Sequence, residues 1–174
     1  MIDITNEHED TLIPNMVTIP SGTMPTVPTV GLRPDYSGQH VDTFEIGMHV
    51  ITLAQWIDIM DYLPKDTEQL SLNHPVTNVN WFDVHRYIEQ LNKVKAGQYR
   101  LPTELEWEYA ARGNREHMIY SWGGPYSRNS KGCFLANFKP IRGNYIADGY
   151  AFTAPTVSYW TNDYGLYNMS GNVS

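Results

Sequence analysis

Arg100-Leu101-Pro102-Thr103-Glu104-Leu105-Glu106-Trp107-Glu108-Tyr109-Ala110-Ala111-Arg112-Gly113 carries a full set of helix start and stop signals. Pro102 stops any earlier helix, Thr103 caps the new one, Glu106 completes a capping box three residues on, and Gly113 supplies the C-terminal stop. The reading is a short helix over 103–112. From Asn114 to Ser174 the chain turns to aromatic, Gly-rich and Asn-rich text with no sustained period, closing on Asn162-Asp163-Tyr164-Gly165-Leu166-Tyr167-Asn168-Met169-Ser170-Gly171-Asn172-Val173-Ser174. So long an irregular stretch in a globular domain calls for an internal staple.

Upstream, two more helices are legible. Thr52 is a good N-cap, and Leu53, Trp56, Ile57 and Met60 follow at i, i+3, i+4 and i+7, which predicts an amphipathic helix over 52–63. A second, over 80–95, starts at Asn80 with Asp83 in its first turn, buries Val84, Tyr87, Ile88, Leu91 and Val94, and ends at Gly97. Met16-Val17-Thr18-Ile19-Pro20 reads as a strand closed by Ser21-Gly22, and Val41-Asp42-Thr43-Phe44-Glu45-Ile46-Gly47 alternates as a strand with one buried face. Residues 23–40, with three Pro and two Gly, show neither period and read as a loop.

These elements predict an α+β domain over 15–174 behind a polar lead-in over 1–14. The 174 residues are 41% hydrophobic, enough for one domain with a core. Five Trp, twelve Tyr, thirteen Gly and eleven Pro suit a small sheet wrapped in long loops better than a helix bundle. A net charge of −7 with no run of Lys or Arg gives no electrostatic footprint for nucleic acid. The acidic start Met1–Asp10 lacks the basic and apolar regions of a signal peptide, and no apolar run reaches the ~18 residues of a membrane span.

Chemistry-bearing constellations are sparse. Glu104, Glu106 and Glu108 share no tight helical face, so they read as capping and solvating groups. Asp83 and His85 diverge on their helix, and His49 and His74 read as hydrogen-bonded structural groups. There is no Ser-His-Asp spacing, phosphate loop or zinc pattern. The single cysteine, Cys133, cannot form an internal disulfide, and between Gly132 and Phe134 it reads as a small buried hydrophobe.

The Leu101-Pro102-Thr103-Glu104 helix and the run Tyr164-Gly165-Leu166-Tyr167-Asn168-Met169-Ser170-Gly171-Asn172, with His74-Pro75-Val76-Thr77-Asn78-Val79-Asn80-Trp81, resemble the formylglycine-generating enzyme (sulfatase-modifying factor) family. That resemblance implies a C-type-lectin-like fold with a small twisted antiparallel sheet and flanking helices. Tyr120–Tyr126, Lys131–Pro140 and Arg142-Gly143-Asn144-Tyr145 look most like the gliding-motility lipoprotein K branch, part of a bacterial secretion and gliding apparatus and regarded as structural.

The resemblance also implies two calcium sites. The first would use the Asn137 side chain, the Phe138 carbonyl, the Asp148 carboxylate and the Tyr150 carbonyl; Asn137 and Asp148 are equally ordinary turn residues on their own. The second would use the Asn168 side chain and the carbonyls of Gly171 and Val173; the family's acidic ligand two positions further on falls past Ser174, so this site is expected to be weak or empty and one calcium ion is expected. The family's oxidases convert a sulfatase Cys to formylglycine with two cysteines that bind copper(I), a soft ion suited to thiolates. One cysteine cannot supply that pair, so copper is not expected in this chain, and the family's catalytic segment is expected beyond Ser174.

The expected function is therefore a non-catalytic binding or assembly module with a protein partner, a secretion or gliding component or a sulfatase-like peptide. The alternatives are the N-terminal part of a formylglycine-generating oxidase and a lectin-like ligand-binding domain. A home in the periplasm or at the outer membrane goes with the gliding branch, with a leader outside this sequence, and the cytoplasm with the absence of one. Trp122, Tyr126, Tyr145, Tyr150, Tyr159, Trp160 and Tyr164 read either as the wall of a groove or as loop-packing anchors.

Overall fold

A computed structural model describes residues 13–26, 34–95, 97–116, 120–138 and 148–173. Its elements run β1 (Met16–Ile19), β2 (Gly22–Thr23), β3 (His40–Val41), β4 (Phe44–Gly47), α1 (Leu53–Met60), α2 (Trp81–Val94) and α3 (Glu104–Arg112). β1 pairs antiparallel with β4, Met16 opposite Gly47 and Ile19 opposite Phe44. β2 pairs antiparallel with β3, Gly22 opposite Val41.

The two ladders share one register, so they form a single long ribbon with a notch. The notch has a chemical cause. Pro20 has no N–H to give, and the next donor, Ser21 N, turns to the Thr43 hydroxyl at 3.1 Å. Beyond β2 the Met24 amide donates to Gln39 O at 2.9 Å and extends the ribbon. The 23–40 loop assignment is corrected accordingly, since Thr23 and His40 are strand residues. Likewise the strand expected over 41–47 is split at Asp42 and Thr43.

Ile19, Met24 and Val41 from the ribbon meet Tyr109 and Ala110 of α3 and Leu166 of the C-terminal run in the first core, with Val17, Phe44 and Ile46 packed against it. Tyr109 lies so close on the ribbon that a Cβ at Gly22 would sit 2.2 Å from its hydroxyl oxygen. A side chain at position 22 would thus require the Tyr109 ring to shift.

All three helices start on reciprocal capping boxes, Thr52 with Gln55, Asn80 with Asp83 and Thr103 with Glu106; N-caps of this kind each contribute about 1 kcal/mol. α1 ends earlier than its apolar pattern suggested, because Asp61 adopts a left-handed φ of 59°. α2 buries Tyr87 and Leu91 against Trp56 of α1 in a second core, the Trp56 and Tyr87 rings stacked at 5.2 Å. Val94, expected inside, is 60% exposed in the last turn. Gly97 does not end α2, which stops at Lys95 in extended conformation. A Cβ on Gly97 would instead meet the Tyr99 ring at 2.7 Å. The Asn92 side chain holds the Tyr99 backbone through both its amide nitrogen and its carbonyl oxygen, which aims the chain into α3. Among the described residues no helix is long and apolar enough to cross a membrane.

Candidate metal centre

The C-terminal loops are held by asparagine side chains in the roles that strands and helices would otherwise fill. Asn162, 5% exposed, donates its amide nitrogen to Ala110 O at 2.7 Å and Ala111 O at 3.3 Å. Its carbonyl oxygen accepts from the amides of Tyr164 and Leu166. One side chain thus satisfies two carbonyls at the end of α3 and closes the turn that buries Leu166. The Tyr167 amide then donates to Met48 O at 2.8 Å, tying the run to the end of the ribbon.

A second asparagine knot follows. Asn172 accepts from the Ala154 amide at 2.7 Å, donates to Ala154 O at 3.0 Å, and gives its own amide N–H to Asn137 O at 2.7 Å. The Asn137 side chain donates to Phe152 O at 2.6 Å and to the Asn172 side-chain oxygen at 3.3 Å, which fixes its amide plane. Asn168, Gly171 and Asn172 all have positive φ, and a Cβ on Gly171 would lie 2.5 Å from Asn137 O. Only glycine permits this approach.

Asp148 and Tyr150 are partly buried. Asp148 Oδ1 accepts from the Tyr150 amide at 3.2 Å, and Asp148 O accepts from the Tyr159 hydroxyl at 3.1 Å. Burial pushes the Tyr159 phenol up to about 12, with the Asp148 charge adding to the shift. Phe138 lies in an aromatic row with Tyr120 and Phe134.

Among the described residues, the buried oxygens in these loops without a hydrogen-bond partner include Asp148 Oδ2 and Asn168 Oδ1. Each of these two belongs to one of the two implied calcium sites, and an unsatisfied buried oxygen is costly, above all on a carboxylate. Asn137, Asn168, Gly171 and Asn172 also line one small hollow of about 10 Å³, room for roughly one water-sized body. Hard oxygens without donors fit a hard cation. The residues present therefore fit calcium by their chemistry. Among the described residues no three His, Cys, Asp or Glu side chains converge.

Other sequence candidates resolve into structural roles. Glu106 completes its capping box and pairs with Arg100 at 2.7 Å, which holds its carboxyl at about 2. Glu108 pairs with Arg112 one turn on. Asp83 reaches back to the Asn80 amide, while the His85 ring lies on Trp81 at 3.7 Å. His49 Nδ1 bonds Val50 O, and His74 Nδ1 bonds the Thr153 hydroxyl at 3.0 Å.

Cys133 is exposed, which corrects the buried reading. It sits in the turn closed by Asn129, whose side-chain oxygen accepts its amide, and Phe134 takes the inward place. Of the aromatics, Tyr126 is 75% and Trp160 57% exposed, whereas Trp122, Tyr150, Tyr159 and Tyr164 are partly buried among loop contacts. Tyr145 lies outside the described residues. Asn162 and Asn172 went unrecognised in the sequence because Asn beside Asp or Gly reads as a turn residue.

Residues 3–174 match the model of the sulfatase-modifying factor enzyme 1-like domain. The chain is 41% identical over 104 residues to the formylglycine-generating enzyme of Thermomonospora curvata, covering 58% of this chain and 32% of that protein. It is 37% identical over 103 residues to the inactive C-alpha-formylglycine-generating enzyme 2 of Bos taurus, covering 59% and 32%. It thus spans about a third of the length of both relatives. Its fold matches the structure of PvdO from Pseudomonas aeruginosa with a TM-score of 0.64 and 26% identity, covering 90% of this chain and 67% of that one. With its capped α3 locked by Asn162 to the C-terminal run, this chain belongs to the family of the formylglycine-generating enzymes and sulfatase-modifying factors.

Proposed function

We propose that these 174 residues act as a non-catalytic binding and assembly module of the family, with a calcium ion holding residues 137–150. The observation that carries this reading is the pairing of a single cysteine, exposed in a turn, with an orphan buried carboxylate oxygen at Asp148. The first leaves these residues without the thiol pair that soft-metal oxidation needs; the second calls for a hard cation. Asn137 and Asp148 side chains and the Phe138 and Tyr150 carbonyls would hold the ion. Calcium, when bound, supplies the positive charge that Asp148 Oδ2 lacks. The Asn172 clamp keeps the Asn137 amide oriented, and the Tyr159 hydroxyl fixes the backbone at Asp148.

The partner is a protein, a component of a bacterial secretion or gliding assembly or a sulfatase-like peptide. Exposed rings at Tyr126, Phe152 and Trp160 support this, because such rings give contact area at low entropic cost. The identity to the Thermomonospora curvata enzyme favours a second reading, in which the same residues serve as the scaffold half of an oxidase.

The test incubates the chain with copper(I), oxygen and a cysteine-containing sulfatase peptide, and assays the peptide for aldehyde by mass spectrometry. Unchanged peptide is expected. Aldehyde formed by the chain, and lost in Cys133→Ser, would overturn the non-catalytic reading.

A further inference from the structure

The β1–β4 ladder fixes which backbone groups of β4 are free. In an antiparallel pair, opposite residues alternate between those that exchange both backbone bonds and those that exchange none. Ile19 opposite Phe44 must be of the first kind, since the second would need the N–H that Pro20 lacks. Thr18 opposite Glu45 and Met16 opposite Gly47 are then of the second kind, in agreement with the Met48 amide, which gives its bond to Asn15 O at 2.6 Å. The N–H and C=O of Glu45 and Gly47 therefore point away from β1, and they have no partner among the described residues.

Facing this edge is the backbone that leads into α3. The Asn92 side chain takes both backbone groups of Tyr99, while those of Gln98 and Arg100 have no partner among the described residues. Between the two walls lies a cavity of about 450 Å³, lined by Met16, Glu45, Gly47, Gln98, Tyr99 and Arg100 among others. It is a slot with unpaired backbone on both sides and room for a few residues of extended chain. Open strand edges pair with other chains unless something blunts them, and strand addition is a recurring way of taking up a peptide.

We propose that this slot receives an extended segment of a partner protein as a strand added to β4, with a basic residue of that segment set against Glu45. Charge selects the occupant. Both terminal nitrogens of Arg100 are taken by Glu106 at 2.7 Å, whereas Glu45 is exposed and has no ion pair among the described residues. The uncompensated charge of the slot is negative, which suits a lysine or arginine directly opposite. Gly47 has no side chain and leaves Met16, 38% exposed, beside it for an apolar residue two places along the guest strand. A second copy could add its own β4 only with its β1 alongside, where residues 97–102 of the first stand. The inference rests on the partner being a protein, and not on calcium or on the exposed rings.

The probe is a capped, fluorescein-labelled peptide with one lysine between paired valines, added to the full chain. Fluorescence anisotropy reads binding, and amide hydrogen exchange followed by NMR reads the edge. Exchange at Glu45 and Gly47 should be fast in the free chain and slowed roughly tenfold or more by the peptide. Methylating alternate backbone nitrogens of the peptide should abolish binding. Glu45→Lys should weaken the lysine peptide about fivefold and strengthen, by the same factor, a peptide with glutamate in its place. A side chain that only shaped the strand would not reverse the preference. Slow exchange at Glu45 and Gly47 before peptide is added would mean that the chain covers its own edge, and a dimer displaced by peptide that a second copy does; either result overturns the proposal. So would absence of binding, or binding that methylation and Glu45→Lys leave within about twofold. None of these results touches the calcium reading or the non-catalytic one.

Discussion

Asn162 caps a helix that ended fifty residues earlier: its side-chain nitrogen donates to Ala110 O at 2.7 Å while its oxygen gathers the amides of Tyr164 and Leu166. This buried amide joins α3 to the C-terminal run and seats Leu166 in the first core. Asn162→Ala leaves buried carbonyls and amides without partners, so it should cost roughly 3 kcal/mol, read as a lower urea midpoint. Asn162→Asp keeps the acceptor and loses the donors to Ala110 and Ala111, and should fall between.

At the other face of α3, Gly22→Ala puts a methyl group against the Tyr109 hydroxyl. A cost of about 1–3 kcal/mol is expected. Tyr109→Phe removes the atom that is struck, so in a double-mutant cycle the pair should be less destabilised than the sum of the singles. Strict additivity would show that the ring is free to move aside.

The Arg100–Glu106 pair predicts acid sensitivity with a defined sign. Arg100 holds the folded-state carboxyl at about 2, below its usual range, so the associated stability is present near neutrality and is lost as pH falls from about 4.5 toward 2. Glu106→Gln keeps the capping box and cannot titrate. Unfolding free energies measured from pH 6 to pH 2 should fall less steeply in the variant across that window. The Asp163 carboxyl, also lowered by its pairing with Arg115, keeps some slope in both.

Cys133 should react with a maleimide in the native protein nearly as fast as in the unfolded chain, since the thiol is exposed. Strong native-state protection would restore the buried reading.

The starts of all three helices and the end of α3 were legible because capping chemistry is local. Thr103, Glu106 and Gly113 sit next to the bonds they make, and the structure has each in its role. The ribbon was only half legible, since β2 and β3 are two residues each and face one another across a Pro- and Gly-rich segment. Val94 and Cys133 show a different limit. Helical spacing and residue type say where an apolar group could be buried, whereas packing decides whether a neighbour covers it. At the candidate site, Asn137, Asp148 and Asn168 came from the resemblance alone. Asn172, which ties them together, was hidden because its bonds to Ala154 and Asn137 span 18 and 35 residues.

The most direct measurement is thermal unfolding of the chain with calcium and with a chelator, beside Asp148→Ala. Calcium that binds only the folded state stabilises it by about 2.7 kcal/mol at a hundredfold excess over the dissociation constant. The account predicts a clear rise in Tm for the unaltered chain that Asp148→Ala diminishes. A folded chain whose Tm is the same with calcium and with chelator would contradict it.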